Sequence, residues 1–154
     1  MQKITPFLWF DNNAEEAMNL YTSIFKNSKI TGVSRYPEGG PGPAGTVMTA
    51  TLELEGQEIM LLNGGPEFKF NESFSFFVSC KDQAEVDELW EKLTADGGSE
   101  SQCGWLKDKF GLSWQIVPTA LPELLASPDP AKASRVLQAM LKMQKIDVKT
   151  LQEA

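Results

Sequence analysis

The spacing of apolar positions changes several times along the chain, and each change marks an element. The opening run KITPFLWF, residues 3–10, is dense in apolar side chains and predicts a strand covered on both faces. In the following DNNAEEAMNLYTSIF, Ala14, Ala17, Met18, Tyr21 and Phe25 recur at helical spacing, so one stripe is buried. Asn12 with Glu15, or Asn13 with Glu16, can close a capping box at its start, and the helix is expected to stop near Asn27. SKITGVSRY reads as a second strand. Residues 37–45, PEGGPGPAG, hold three prolines and four glycines, which excludes a helix or central strand and predicts a mobile loop. TVMTATLELEG and QEIMLLN are two strands joined tightly around Glu55–Gln57.

The pattern then starts again. SFSFFVSC, residues 73–80, predicts a strand, and KDQAEVDELWEKLTADGG a helix with Asp82 and Glu85 as its capping box. Val86, Leu89, Trp90 and Leu93 form its buried stripe, and Gly97–Gly98 end it. SQCGWLKD and GLSWQIVP make a hairpin around Lys109–Gly111. Ala14-Glu15 matches Ala84-Glu85 at a shift of 70 residues, and the hairpin glycines Gly56 and Gly111 match at 55, the Pro/Gly loop accounting for the difference. This is a β-α-β-β-β unit present twice rather than a solenoid. After Pro118 the pattern turns helical. TALPELLASP is a short turn or helix. Asp129-Pro130 suits the start of a longer helix with Ala133, Val136, Leu137, Met140 and Leu141 on one stripe, and Asp147 caps a last short one. This extension must bury its apolar face on its own sheet or on a partner subunit's.

The fold class that follows is α+β: two β-α-β-β-β modules, residues 1–65 and 66–118, with a helical extension over 119–154, in one compact domain. Charge and composition narrow the chemistry. A net charge of −7 without a basic patch argues against nucleic acid. No apolar run nears the ~18–20 residues of a membrane span, and the N-terminal segment lacks the pattern of a secretion signal, so a cytoplasmic location is expected. There is no histidine, which removes the commonest general base and the commonest transition-metal ligand. Cys80 and Cys103 form no CxxC pair, and reduced structural thiols are expected.

The segments PFLWFDNNAEEAMNLYTSIF, LNGGPEFKFNESFSFFVSC, QCGWLKDKFGLSWQIVP and AMLKMQKID together resemble the PhnB-like family of the vicinal-oxygen-chelate superfamily, which spans glyoxalases, bleomycin-resistance proteins and dioxygenases. The resemblance extends over essentially the whole chain. It implies that the modules curl into an open, cupped mixed sheet and that the protein is a homodimer, in some relatives with exchanged modules. Some members carry the label 3-demethylubiquinone 3-methyltransferase. In metal-dependent relatives four positions of the cup hold His and Glu ligands. Those positions correspond here to Ile4, Met60, Ser75 and Gln115, and a slip by one brings Thr5 or Glu58 closer without completing a set. One hydroxyl and one amide do not offset the dehydration of a divalent ion, so no metal and no cofactor is expected. The glycines of GGPGPAG, NGGP and DGGS form no G-x-G-x-x-G turn for a class I methyltransferase.

The candidate site residues follow from strand alternation. On GLSWQIVP, if Gln115 faces the cup then so do Ser113 and Val117, leaving Trp114 and Ile116 beneath the helices. Ser75 with Phe77, Met60 with Leu62, and Trp105 complete a mainly apolar pocket with a few polar groups. Arg35 and Tyr36 flank the Pro/Gly loop and can hold an anionic group under a lid, or can be ordinary surface residues. Cys103, with Lys107 the nearest cation in sequence, reads as structural, and Asp11 as a helix-start residue. The function expected is binding of a small, mainly apolar ligand without metal. The alternatives are an enzyme, either a methyltransferase or a lyase/isomerase with a shifted metal site, and a structural dimer whose cup is filled.

Overall fold

The computed structural model describes residues 2–154. The chain divides into two compact units, Met1–Lys69 and Phe70–Ala154. The first contains β1 (Phe7–Phe10), α1 (Ala14–Ile24), β2 (Ser28–Arg35), β3 (Val47–Leu54) and β4 (Gln57–Asn63). The second contains β5 (Ser75–Cys80), α2 (Gln83–Thr94), β6 (Ser99–Glu100), β7 (Trp105–Lys107) and β8 (Ser113–Pro118). It continues into α3 (Ala120–Leu125), α4 (Pro130–Met140) and α5 (Val148–Glu153). This is the expected α+β class. Each unit holds one open four-stranded mixed sheet, ordered β1-β4-β3-β2 and β5-β8-β7-β6.

The duplication extends to strand register. Phe7 lies opposite Met60 in the first sheet and Phe77 opposite Gln115 in the second, shifts of 70 and 55 residues; both pairings are parallel. The hairpins differ at their turns. Glu55 and Gly56 both take positive φ, 48° and 85°, as a two-residue turn matched to strand twist requires. The second turn is longer and is held by the buried Asp108. Its Oδ1 accepts from the backbone of Phe110 (2.9 Å) and Leu112 (3.1 Å), and its Oδ2 from Trp114 Nε1 (2.9 Å).

Each sheet is covered by its helix on one face only. Ala14, Ala17, Met18 and Tyr21 of α1, with Phe25 just beyond, meet the buried Leu8, Phe10, Ala50, Leu52, Ile59 and Leu61. The stripe matches expectation, but the strand covered on both faces does not. β1 begins only at Phe7; Phe7 is exposed and Ile4, before it, is 86% exposed. The dense run instead supplies Trp9 to a local cluster: its ring stands edge-on to Phe68 at 4.9 Å, and its Nε1 donates to Gly65 O at 2.9 Å.

The two helices are capped differently. Asp82 accepts from Glu85 N (3.0 Å), the first half of the expected box, while the Glu85 side chain reaches past the cap residue and accepts from Lys81 N (3.0 Å). At α1 neither asparagine box forms: Asn13 occupies the cap position without a side-chain bond. The Ala14 N–H donates instead to Oδ1 of the buried Asn63 (2.9 Å), whose Nδ2 donates to Val47 O (2.9 Å). The equivalent position in the second copy is Pro118, paired with Cys80 as Asn63 is with Phe10, and proline has no side-chain group to offer.

The C-terminal extension packs on its own unit. Val117, Leu121, Val136, Ile146 and Leu151 form one buried cluster. Cys103 N and Gly104 N donate to Met143 O and Gln144 O, both at 2.8 Å. The stripe expected on α4 is only partly right. Val136 is buried and Met140 partly so, but Leu137 and Leu141 are exposed. Ala139 and Met143 take the inward positions, because the helix is turned toward Leu121 and Leu151.

Candidate functional site

Alternation along β8 sorts the second sheet into two chemistries. Trp114 and Ile116 are buried on the helix side, whereas Ser113 and Gln115 lie on the opposite face. The register brings Ser75 and Phe77 of β5, and Trp105 and Lys107 of β7, onto that face beside them. Five of the expected residues therefore meet in one unit: Ser75, Phe77, Trp105, Ser113 and Gln115. Val117, expected on the same face, is taken up by the C-terminal cluster instead.

Gln115 Nε2 donates to Ser75 Oγ at 3.0 Å, a cross-strand pair that fixes the amide. Phe77 beside it is 57% exposed. Next to the pair lies an open cleft of about 260 Å³ lined by Glu72, Ser99, Ser101, Trp105, Lys107 and Ser113, among others. Ser113 is 1% exposed, and its Oγ is buried with no hydrogen-bond partner among the described residues. Buried hydroxyls are nearly always paired, so an unpaired one lining a cleft is exceptional. The Lys107 ammonium pairs with the Glu72 carboxylate at the cleft. Hydrogen bonding to Lys107, then its charge, holds the Glu72 carboxyl below the usual carboxylate range.

The remaining expected residues lie in the first unit. Met60 is partly buried on the helix-distal face of its sheet, between Phe7 and Thr51. Arg35 is committed to its own chain: Nη2 pairs with Glu15 Oε1 at 2.9 Å and Nη1 donates to Gly45 O at 3.0 Å. Tyr36 OH donates to Asn63 O. Its ring fills the space over Gly42, where a Cβ would lie 2.5 Å from Tyr36 Cε2. The Pro/Gly loop is thus tied down by Tyr36 N–H to Thr46 O (2.9 Å) and Gly45 N–H to Tyr36 O (2.9 Å), and Arg35 and Tyr36 act as its anchors.

The donor set does not fit a divalent ion. Ile4, Met60, Ser75 and Gln115 offer no anionic oxygen, imidazole or thiolate, and Thr5, which the strand register makes the equivalent of Ser75 in place of Ile4, adds only a hydroxyl. Among the described residues no three of His, Cys, Asp and Glu gather where one ion could bind them. Cys80 is buried, and its thiol is pushed up to about 12, first by burial and then by the Glu85 carboxylate. It is no nucleophile near neutral pH. Cys103 sits at positive φ, 58°, in the turn that docks on the extension.

Sequence reasoning missed Glu72, Ser99 and Ser101 as cleft residues and considered Lys107 only as a neighbour of Cys103. Lys107 was within reach, since a turn over 108–112 places it opposite Ser113. Glu72 sits in a turn whose position no spacing rule gives.

Residues 2–117 match the sequence model of the 3-demethylubiquinone-9 3-methyltransferase family. A PhnB protein from Bacillus cereus, bearing the same methyltransferase label as an unproven assignment, is 42% identical over 77% of this chain and 100% of its own, with a TM-score of 0.72. Protein PA1353 from Pseudomonas aeruginosa is 22% identical over 77% of this chain and 98% of its own (TM-score 0.63). A glyoxylase/bleomycin resistance protein/dioxygenase domain from Frankia is 16% identical over 77% and 92%, with a TM-score of 0.51, and shares the fold. No curated protein matches. The family match ends at residue 117, so AMLKMQKID and the helical extension lie outside it. No helix among the described residues is long and apolar enough to cross a membrane.

Proposed function

The chain belongs to the 3-demethylubiquinone-9 3-methyltransferase family of PhnB-like proteins, and from that premise we propose that it is a metal-independent small-molecule-binding protein whose ligand sits on the helix-distal face of the second sheet. One observation carries the reading: Ser113 presents a buried hydroxyl without a partner beside an open cleft. The supporting surface has the usual composition of a ligand seat, with the Phe77 and Trp105 rings and a few fixed polar groups in Gln115, Ser75 and Ser113. Metal independence rests on the donor chemistry of Ile4, Met60, Ser75 and Gln115. The family description supports a methyltransferase as the second reading.

Native mass spectrometry of the purified protein, with elemental analysis, tests the proposal. Co-purifying organic mass that is lost on Trp105→Ala supports it; stoichiometric transition metal overturns it. Saturable S-adenosylmethionine binding by calorimetry favours the methyltransferase reading. We propose also that the protein acts as a cytoplasmic homodimer, a state that light scattering during size exclusion measures directly.

A further inference from the structure

Resting on the seat proposed above, we propose that the cleft of the second unit takes a carboxylate attached to a flat apolar body, with Glu72 holding the carboxylate position until that ligand displaces it. The lining joins the necessary chemistries: an indole ring from Trp105, an ammonium from Lys107, and hydroxyls from Ser99, Ser101 and Ser113. The kind of group that Lys107 binds is already visible, because its ammonium donates to the Glu72 carboxylate.

Of the two partners, Glu72 is the freer. It lies in the turn before β5 rather than in a strand, and its side chain is 63% exposed against 40% for Lys107. Lys107 belongs to β7 and stands opposite Ser113 of β8, so the two side chains leave the same face about 5 Å apart at Cβ. An incoming carboxylate takes Glu72's place with one oxygen and reaches the Ser113 hydroxyl hydrogen with the other once the lysine stem moves outward. Exposed ion pairs are weak, so the exchange costs little. The Ser113 hydroxyl gains a charged acceptor, among the stronger hydrogen-bond partners. A flat apolar body then lies over Trp105.

An ammonium ligand fits less well. It would have to expel Lys107, which is anchored in a strand. Glu100, the other acid of the lining, is held toward α2, where its Oε1 accepts from Trp90 Nε1 at 2.6 Å, so only its second oxygen is left to compete for a cation. The chain's charge of −7 does not reverse this, since fields from distant groups are screened beyond about 8 Å at physiological salt.

The test is an NMR titration of the full chain with benzoate, benzylamine and benzyl alcohol, following the Trp105 indole N–H signal, assigned with Trp105→Phe. Benzoate is expected to saturate that signal and benzyl alcohol to bind more weakly. Glu72→Gln removes the internal competitor and should tighten benzoate about 5-fold, while Lys107→Met should weaken it by about 10-fold. Ser113→Ala should weaken it about 5-fold without loss of fold. Equal binding of benzoate and benzyl alcohol, indifferent to both charge variants, overturns the carboxylate assignment and leaves the ligand seat standing. Preference for benzylamine, tightened by Lys107→Met, overturns it by reversing its sign. If none of the three moves the Trp105 signal, the assignment fails together with the seat beneath it.

Discussion

Ser113→Ala removes the one buried side-chain polar atom that lacks a hydrogen-bond partner among the described residues. A buried hydroxyl without a partner costs about 1–3 kcal/mol. Ser113 Oγ meets that description, being shut off from solvent and unpaired among the described residues. Alanine keeps the Cβ and deletes one atom, so the void is smaller than a methyl group and costs about 0.5 kcal/mol at the usual rate per unit of cavity volume. The net expectation is a gain of about 1 kcal/mol, which for a chain of 154 residues raises Tm by roughly 2–4 °C. Differential scanning calorimetry at neutral pH reads this directly. Ser79→Ala, an exposed position four residue pairs further along the same β5–β8 ladder, serves as the control and should stay within about 0.5 kcal/mol of the parent. The result that refutes the reasoning is a fall in Tm for Ser113→Ala alone. It would mean that the hydroxyl is bonded in solution, by ordered water or by a group of the chain, and is not held open for a ligand.

Three further outcomes follow from the same geometry. Asn63→Ala deletes two buried hydrogen bonds and orphans Ala14 N and Val47 O. It should cost about 3 kcal/mol, against about 1 for the exposed cap variant Asp82→Ala, with amide exchange in α1 rising first; a smaller loss than Asp82→Ala contradicts the long-range cap. Cys80 should resist iodoacetamide at pH 8 in the folded protein. Its thiol stays protonated to about 12, so this contribution to stability is complete below pH 9.0 and is lost as pH climbs from there through about 12; mass mapping of alkylation against pH checks both. Gly98→Ala should destabilise by about 1–3 kcal/mol and disturb β7, because a Cβ there would lie 2.8 Å from the backbone oxygens of both Leu93 and Lys107; thermal denaturation decides.

What the sequence reveals and what it hides divides along the range of the interactions. The stripes of α1 and α2 and the two-residue turn at Glu55–Gly56 are local, and spacing states them. Asp82 with Glu85 is a cap written within four residues; the cap of α1 is Asn63, 49 residues from the amide it holds, and nothing near Asn13 signals that the nearer asparagines are unused. Arg35 was open to two readings because an arginine beside a flexible segment is ambiguous until its partners are known, and those are Glu15 and Gly45. Leu137 and Leu141 share helical spacing with Val136 and Met140, yet only packing against Leu121 and Leu151 chooses which residues face inward.

The site was harder to read than the fold for a reason the duplication makes plain. Both copies keep one register, because buried residues on the helix side set it, and a slip by one would turn them outward. The opposite faces carry no such constraint, and there the copies diverge. Met60 and Gln115 occupy equivalent positions, as do Thr5 and Ser75 at a shift of 70 residues. Only the second copy has an amide that can bond its hydroxyl partner, and a methionine cannot replace it. Alternation therefore predicts which side chains reach the free face but says nothing of what they do once there. The polar pair, the orphaned hydroxyl and the Lys107–Glu72 contact all fall in one copy, so exchanging Met60 for glutamine should create no second seat, whereas exchanging Gln115 for methionine should abolish the one that exists.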